Sequence, residues 1–248
     1  MHYSQGVAPY YDLFAGPTDS PDEAAAFLCG LVNPGDSVLD IGAGTGVTAV
    51  ALAERGINVT ALEPDPEMHA VLLARLAGRF DIEAKLTPVR GGAGFRTRTR
   101  YDVCSSISVL HLLAAPEQEA LVAHATAEVE AHGRVVLELP VETSARVPRA
   151  WSVNATRTLG RLRIEHHSAM ARSSGGVWQT HWRFVSYLDG EKVHEVDRTF
   201  DWLPLSHART EALLRMHNLA VVGDFAGFDR QPYAPGESRV RLVVARAV

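Results

Sequence analysis

Through residue 141, short apolar runs alternate with stretches whose apolar positions recur at helical spacing, and cap or turn residues mark the boundaries. Ser20-Pro-Asp-Glu23 reads as a capping box, and Ala24, Phe27, Leu28 and Leu31 continue one helical face to the turn at Asn33-Pro-Gly35. Val38 to Ile41 is a strand of buried type, Thr48 to Glu54 a helix ended by Gly56, and Ile57 to Glu63 a second strand. Asp65 caps a helix that runs to Ala77 with Pro66 in its first turn. Strands follow at Ile82 to Val89 and Tyr101 to Val109, then a helix from Pro116 to His132 closed by Gly133, then a strand from Arg134 to Val141. This alternation predicts an α/β fold, a doubly wound and mostly parallel sheet with helices on both faces.

The pattern changes after Pro148. Three β-type runs, Arg161 to Ala171, Val177 to Leu188 and Val193 to Leu203, are joined by turns at Ser173-Ser-Gly-Gly176 and Asp189-Gly190. Trp178, Thr180, Trp182 and Phe184 alternate onto one face of the second run, so the meander can bury an aromatic surface. Ser206 then caps a helix through Met216, Asn218 ends it, and Leu219 to Phe225 and Arg239 to Val244 read as two final strands. The antiparallel meander therefore interrupts the α/β unit: residues 1–147 and 204–248 form one domain, and residues 148–203 are inserted after its fifth strand.

The densest chemistry lies in Val38-Leu-Asp-Ile-Gly-Ala-Gly-Thr-Gly46. Gly42, Gly44 and Gly46 let the backbone turn sharply beside a ligand, and Glu63 stands at the tip of the next strand, where a carboxylate commonly holds two ribose hydroxyls. A dinucleotide fingerprint needs its third glycine at position 47, which is Val47. The spacing Asp40-x-Gly42-x-Gly44-x-Gly46 instead resembles motif I of the class I S-adenosylmethionine-dependent methyltransferases. That resemblance implies a Rossmann-like fold and S-adenosyl-L-methionine as cofactor, with S-adenosyl-L-homocysteine as product. It implies a cofactor site of Asp40, Gly42, Ala43, Gly44, Gly46, Glu63 and Pro64, with Met68 over the adenine and Ser106 at the end of the fourth strand. One departure is visible. The family usually offers an acidic residue after the third strand, whereas Arg90-Gly91-Gly92 stands here, so backbone groups of Gly91 and Gly92 would serve the adenine. Tyr10-Tyr11-Asp12 resembles the N-terminal "Y-D" segment of small-molecule methyltransferases, which places Tyr11 toward the methionyl end and Tyr3 near the same cleft.

Composition narrows the partners. With 248 residues, 46% of them hydrophobic, the chain can bury a sizeable core without disulfides, and Cys29 and Cys104 read as reduced core thiols. A formal net charge of −5 argues against a polyanionic partner, although Arg90, Arg96, Arg98 and Arg100 cluster locally. Asn/Asp-Pro-Pro-Tyr is absent after the fourth strand, where Ser105-Ser-Ile-Ser108 stands, which favours small molecules over nucleic acid as acceptors. No leader and no apolar run approaching 18 residues is present, so a cytoplasmic protein without a membrane partner is expected.

Methyl transfer from a sulfonium is an in-line displacement that asks for alignment and a dry cleft. His111, just past the fourth strand, and Glu138, near the end of the fifth, are the candidate catalytic groups. The cap resembles that of glycine and sugar-amine N-methyltransferases, which implies an acceptor site with Tyr3, Glu142, His166, Trp178 and Trp182, and leaves room for a homodimer through the β insertion. His166 and His167 point to opposite faces, and no ligand spacing for a metal occurs. The expected reaction is methylation of an amine of a small molecule or natural product, such as an amino sugar or a peptide N-terminus. A hydroxyl acceptor is the alternative, followed by a dinucleotide-dependent oxidoreductase or a noncatalytic binder.

Overall fold

The structure is a computed structural model that describes residues 6–14, 21–141 and 148–248. Its larger sheet has seven strands: β1 (Ser37–Ile41), β2 (Asn58–Glu63), β3 (Leu86–Arg90), β4 (Tyr101–Ser106), β5 (Val129–Pro140), β10 (Leu219–Phe225) and β11 (Val240–Ala247). Their order is β3-β2-β1-β4-β5-β11-β10, with β1 to β5 parallel and β11 antiparallel to both of its neighbours, β5 and β10. Helices α2 (Pro21–Cys29), α3 (Val47–Glu54), α4 (Pro66–Leu76), α5 (Ala115–Glu128) and α6 (His207–Met216) flank it, and a short helix α1 (Ala8–Phe14) precedes them. Two apolar clusters form the core. One gathers Leu28, Leu52, Val59, Leu72 and Val136, the other Leu39, Leu121, Leu137, Leu213 and Val243. This is a Rossmann-like sheet with helices on both faces.

A second sheet follows β5, in the order β6 (Arg149–Leu159), β7 (Leu162–Arg172), β8 (Trp178–Leu188), β9 (Glu191–Trp202), antiparallel throughout. The meander was expected to have three strands and has four. β6 escapes the hydrophobic pattern because it is an edge strand exposed along almost its whole length, so no alternation marks it.

Other boundaries also move. The helix expected to reach His132 stops at Glu128, and β5 begins at Val129. Gly133 is therefore no helix terminator. A Cβ there would lie 2.7 Å from the Asp102 carbonyl oxygen, so the glycine admits close approach of β4 at an irregularity in its pairing with β5. The strand expected through Val109 ends at Ser106, because Ser108 takes φ +56° and a short 3₁₀ turn, Leu110–Leu112, follows. Ile82 to Lys85 is a turn, and β3 starts at Leu86. Cys104 is buried and Cys29 partly buried, and neither forms a disulfide. No described helix is long and apolar enough to cross a membrane.

Candidate active site

The parallel strands end on one edge of the sheet, and the turn from β1 into α3 lies there. Gly42, Gly44 and Gly46 have φ of 80°, 57° and 80°, values open to glycine and strained for other residues. Their neighbours differ. A Cβ at Gly42 would fall 2.5 Å from Val109 and one at Gly46 2.0 Å from Leu72, whereas Gly44 has nothing within 4 Å. Gly42 and Gly46 thus seat the turn on the domain, and Gly44 faces open space.

Glu63, at the tip of β2, holds the same turn. Its carboxylate accepts the Gly44 N–H at 2.7 Å and the Asp65 N–H at 2.7 Å. It is only 6% exposed, and burial raises its pKa above the usual carboxylate range against the opposing pull of those two N–H groups. A carboxylate offers about four acceptor positions, so two remain for hydroxyl donors. Asp65 caps α4 by accepting from Glu67 and Met68 N–H at 2.9 and 3.2 Å, which draws the buried Met68 to the base of the turn. The Gly91 N–H reaches the Glu63 carbonyl at 3.1 Å, and a Cβ at Gly92 would sit 3.6 Å from Pro64. Pro64, Gly91, Gly92 and Glu63 therefore share one shelf, with the Phe95 ring beside Gly91.

Asp40 sits under the turn. Its buried carboxyl accepts from the Ser105 hydroxyl at 3.2 Å, and desolvation pushes its pKa up to about 7, opposed by that bond and assisted by Glu63. Ser106, fully buried at the end of β4, has a hydroxyl with no hydrogen-bond partner. An open glycine backbone, a buried carboxylate with acceptor positions left and an orphaned hydroxyl at adjacent strand ends fit an adenosyl group.

Glu138 is buried on the neighbouring β5 and accepts from the Ser108 hydroxyl at 2.5 Å, which the left-handed Ser108 backbone aims at it. His111, 6% exposed, packs its ring on Trp202 with centroids 4.3 Å apart, while its carbonyl accepts the Leu203 N–H at 2.7 Å. The Gln118 amide donates to the Leu110 and Leu203 carbonyls at 3.1 and 3.3 Å and stitches this turn to the end of β9. Trp202 in turn lines a cleft of about 630 Å³ together with Val141, Arg172, Trp178, Pro204, His207, Tyr233 and Ser238. Arg172 covers the Trp178 ring at 4.9 Å, and Tyr233 stacks on His207 and lies 5.0 Å from the Arg241 guanidinium. Arg241 is itself buried and bonded to Asp224 at 2.9 and 2.7 Å and to Glu211 at 2.7 Å.

The sequence-predicted residues of the cap divide. Trp178 borders the cleft, but Trp182 and His166 lie in an aromatic cluster beneath α1. His166 stacks on Phe184 at 4.7 Å, and burial lowers its pKa to about 4, so the ring is neutral. Tyr11 approaches Trp182 at 6.1 Å. Tyr3 and Glu142 lie outside the described residues. Trp202, Tyr233, His207, Ser108 and the Asp12–Thr45–Arg75 group were not anticipated. Only Tyr10-Tyr11-Asp12 carried a local signal.

A sequence profile of methyltransferase domains matches residues 38–133, the stretch that holds the glycine turn, Glu63, the Gly91–Gly92 loop and His111. Residues 38–133 thus form a methyltransferase domain. Over its whole length the fold is that of the CcbJ methyltransferase from Streptomyces caelestis, with TM-score 0.81, 23% identity and coverage of 100% of this chain and 99% of the other. It also matches DesVI from Streptomyces venezuelae, at TM-score 0.76, 22% identity and coverage of 97% and 98%. A third match is CalS10, an amino pentose methyltransferase from Micromonospora echinaspora involved in calicheamicin biosynthesis, at TM-score 0.73, 17% identity and coverage of 100% and 98%. Among curated relatives, a dimethyladenosine transferase of Saccharomyces cerevisiae is 37% identical over 75 residues, 30% of this chain and 23% of the relative. An uncharacterized methyltransferase of Mycobacterium sp. (strain JLS) is 41% identical over 76 residues, 30% of this chain and 28% of the relative. The aligned segment is thus about a quarter of either relative.

Proposed function

We propose that this protein transfers a methyl group from S-adenosylmethionine to an amine of a small natural product, with the cofactor on the Gly44–Glu63 shelf and the acceptor in the cleft lined by Trp178 and Trp202. The observation that carries the cofactor half is the Glu63 carboxylate, buried, fixed by two N–H groups and left with acceptor positions beside an unobstructed Gly44. Those positions suit two ribose hydroxyls, and Gly91 and Gly92 would border the adenine by their backbone. Bound there, the cofactor supplies an electrophilic methyl group.

The chain's own residues do the rest. The cleft volume of about 630 Å³ suits a molecule of drug size more than a free amino acid. Its aromatic side chains give flat contact to a ring. Glu138, held by Ser108, would accept from an ammonium and orient it, and His111, against the cleft wall, would take the proton before the nitrogen lone pair attacks. A sugar amine suits this division, and the amino pentose methyltransferase with the same fold supports it.

The test is a panel of amino sugars, free amino acids and sugar alcohols with radiolabelled cofactor, followed by fragmentation of any labelled product. Label on nitrogen of an amino sugar is expected. Label on oxygen or carbon, or no transfer to any amine despite cofactor binding, would overturn the amine assignment.

A further inference from the structure

Helix α1 touches both halves of the molecule, and its polar face and its aromatic face touch different ones. On the polar side, Asp12 accepts the Thr45 hydroxyl at 2.6 Å and pairs with Arg75 of α4, and Arg75 donates to the Thr45 carbonyl at 3.0 Å. Thr45 lies between Gly44 and Gly46 and is buried, so this triad grips the glycine turn one residue beyond the Gly44 N–H that Glu63 holds. The N–H of Gly6, ahead of α1, adds a bond to Glu67 of α4 at 2.6 Å. On the aromatic side, Tyr10 stacks on Phe184 with rings 5.2 Å apart and 11° from parallel, and Phe14 packs on Phe184 and His166 at 5.5 and 5.6 Å. Arg157 of β6 donates to the Leu13 carbonyl at 3.0 Å.

We infer that Asp12 is a positioning residue that couples the cofactor turn to the inner face of the cap sheet, so that occupation of the turn stiffens β8 through α1. The physical basis is a continuous chain of contacts. A ligand bound on the Gly44–Gly46 backbone would restrain it, Thr45 would pass that restraint to Asp12, and a seven-residue helix would pass it to Phe184 and Trp182. Coupling is reciprocal, so the same contacts make an ordered cap favour the bound turn. Asp12 touches neither reacting group. Its role is to present the turn and to link it to the cap.

The inference rests on the reading that S-adenosylmethionine binds this turn, and the test separates the two. Hydrogen exchange is followed by mass spectrometry on the full chain with and without saturating S-adenosylhomocysteine, in the natural protein, Asp12→Asn and Thr45→Val. In the natural protein, protection is expected at residues 37–46 and 58–68 and also at residues 7–14 and 178–188. In Asp12→Asn the first two stretches stay protected at saturation while 178–188 loses its protection. Calorimetry should show S-adenosylhomocysteine affinity about tenfold weaker in Asp12→Asn, and no further loss in the double variant with Thr45→Val. Should Asp12→Asn fail to fold, Thr45→Val alone must show the same loss at 178–188. Unchanged protection of 178–188 in the variants, or fully additive affinity losses, would overturn the coupling and leave the cofactor site standing. Absence of protection at 37–46 and 58–68 in the natural protein would remove the cofactor reading and the coupling with it.

Discussion

The turn after β1 and the cleft beneath the cap sheet are built from different materials. The turn is made of backbone: three glycines at positive φ, an N–H donated to Glu63 and a helix cap two residues beyond it. The cleft is made of side chains, Trp178, Trp202 and Tyr233, each backed by a partner, respectively Arg172, His111 and Arg241. A backbone site has little room to change, because its geometry is its chemistry. A side-chain site can be retuned one ring at a time on a fixed frame. Under the proposed function, one domain can therefore keep its cofactor while its acceptor pocket diverges, and substitutions should expose this difference.

The largest effect is expected under the cleft, at Arg241. Replacing it by Ala leaves a cavity where a fully buried side chain stood and takes the cation from the partly exposed Asp224 and Glu211, at about 3 to 5 kcal/mol. Denaturant unfolding should show that loss. Calorimetry on the fraction that folds should still find normal cofactor affinity, because Arg241 lies on β11, away from the turn.

At the turn itself, Gly46→Ala combines left-handed strain with a methyl 2.0 Å from Leu72, a destabilisation of about 2 to 5 kcal/mol. Gly44→Ala meets no protein atom and should cost only about 1 to 2 kcal/mol of strain. Its methyl nonetheless occupies the open side, so cofactor affinity should fall while the fold persists. Equal unfolding of both variants would show that Gly44 is structural and that the open side is no ligand surface.

Asp40 provides a pH-dependent comparison. Because burial lifts its pKa to about 7 from an ordinary 3.8, the folded state keeps a proton that the unfolded chain releases. Its favourable contribution is complete below pH 3.8 and is lost as pH rises through 7. The stability of Asp40→Asn relative to the natural protein should accordingly improve between pH 4 and 7 and then level off. About three units bound the gain at roughly 4 kcal/mol. Urea unfolding without cofactor measures it, and a flat difference across that range would mean that Asp40 stays ionised.

The two regions also differ in how far the amino-acid sequence reveals them. The turn, Glu63, the Asp65 cap and the alternation of strands and helices are local, so a window of about 25 residues contains the turn and its carboxylate, while Gly91, Gly92 and Ser106 join them from later strand ends. The cleft is drawn from β5, the β7–β8 turn, the end of β9 and the loop before β11, and no local pattern marks Trp202 or Tyr233 as neighbours. Asp12 meets Thr45 only after the chain has folded. Gly133 misled for a related reason, since a glycine after a helical run resembles a terminator until the carbonyl of Asp102 is seen against it. β6 was missed because pairing with β7, and no buried face, makes it a strand.

The central claim, a cofactor held by Glu63 and an acceptor pocket that leaves it untouched, is tested most directly by titrating S-adenosylhomocysteine calorimetrically into the natural protein, Glu63→Ala and Trp178→Ala. Loss of two hydroxyl bonds to a carboxylate predicts affinity at least about tenfold weaker in Glu63→Ala. Trp178→Ala should stay within about twofold, because the indole borders a cleft whose lining includes no residue of the turn. Unchanged affinity in folded Glu63→Ala, or an equal fall in both variants, would contradict the account.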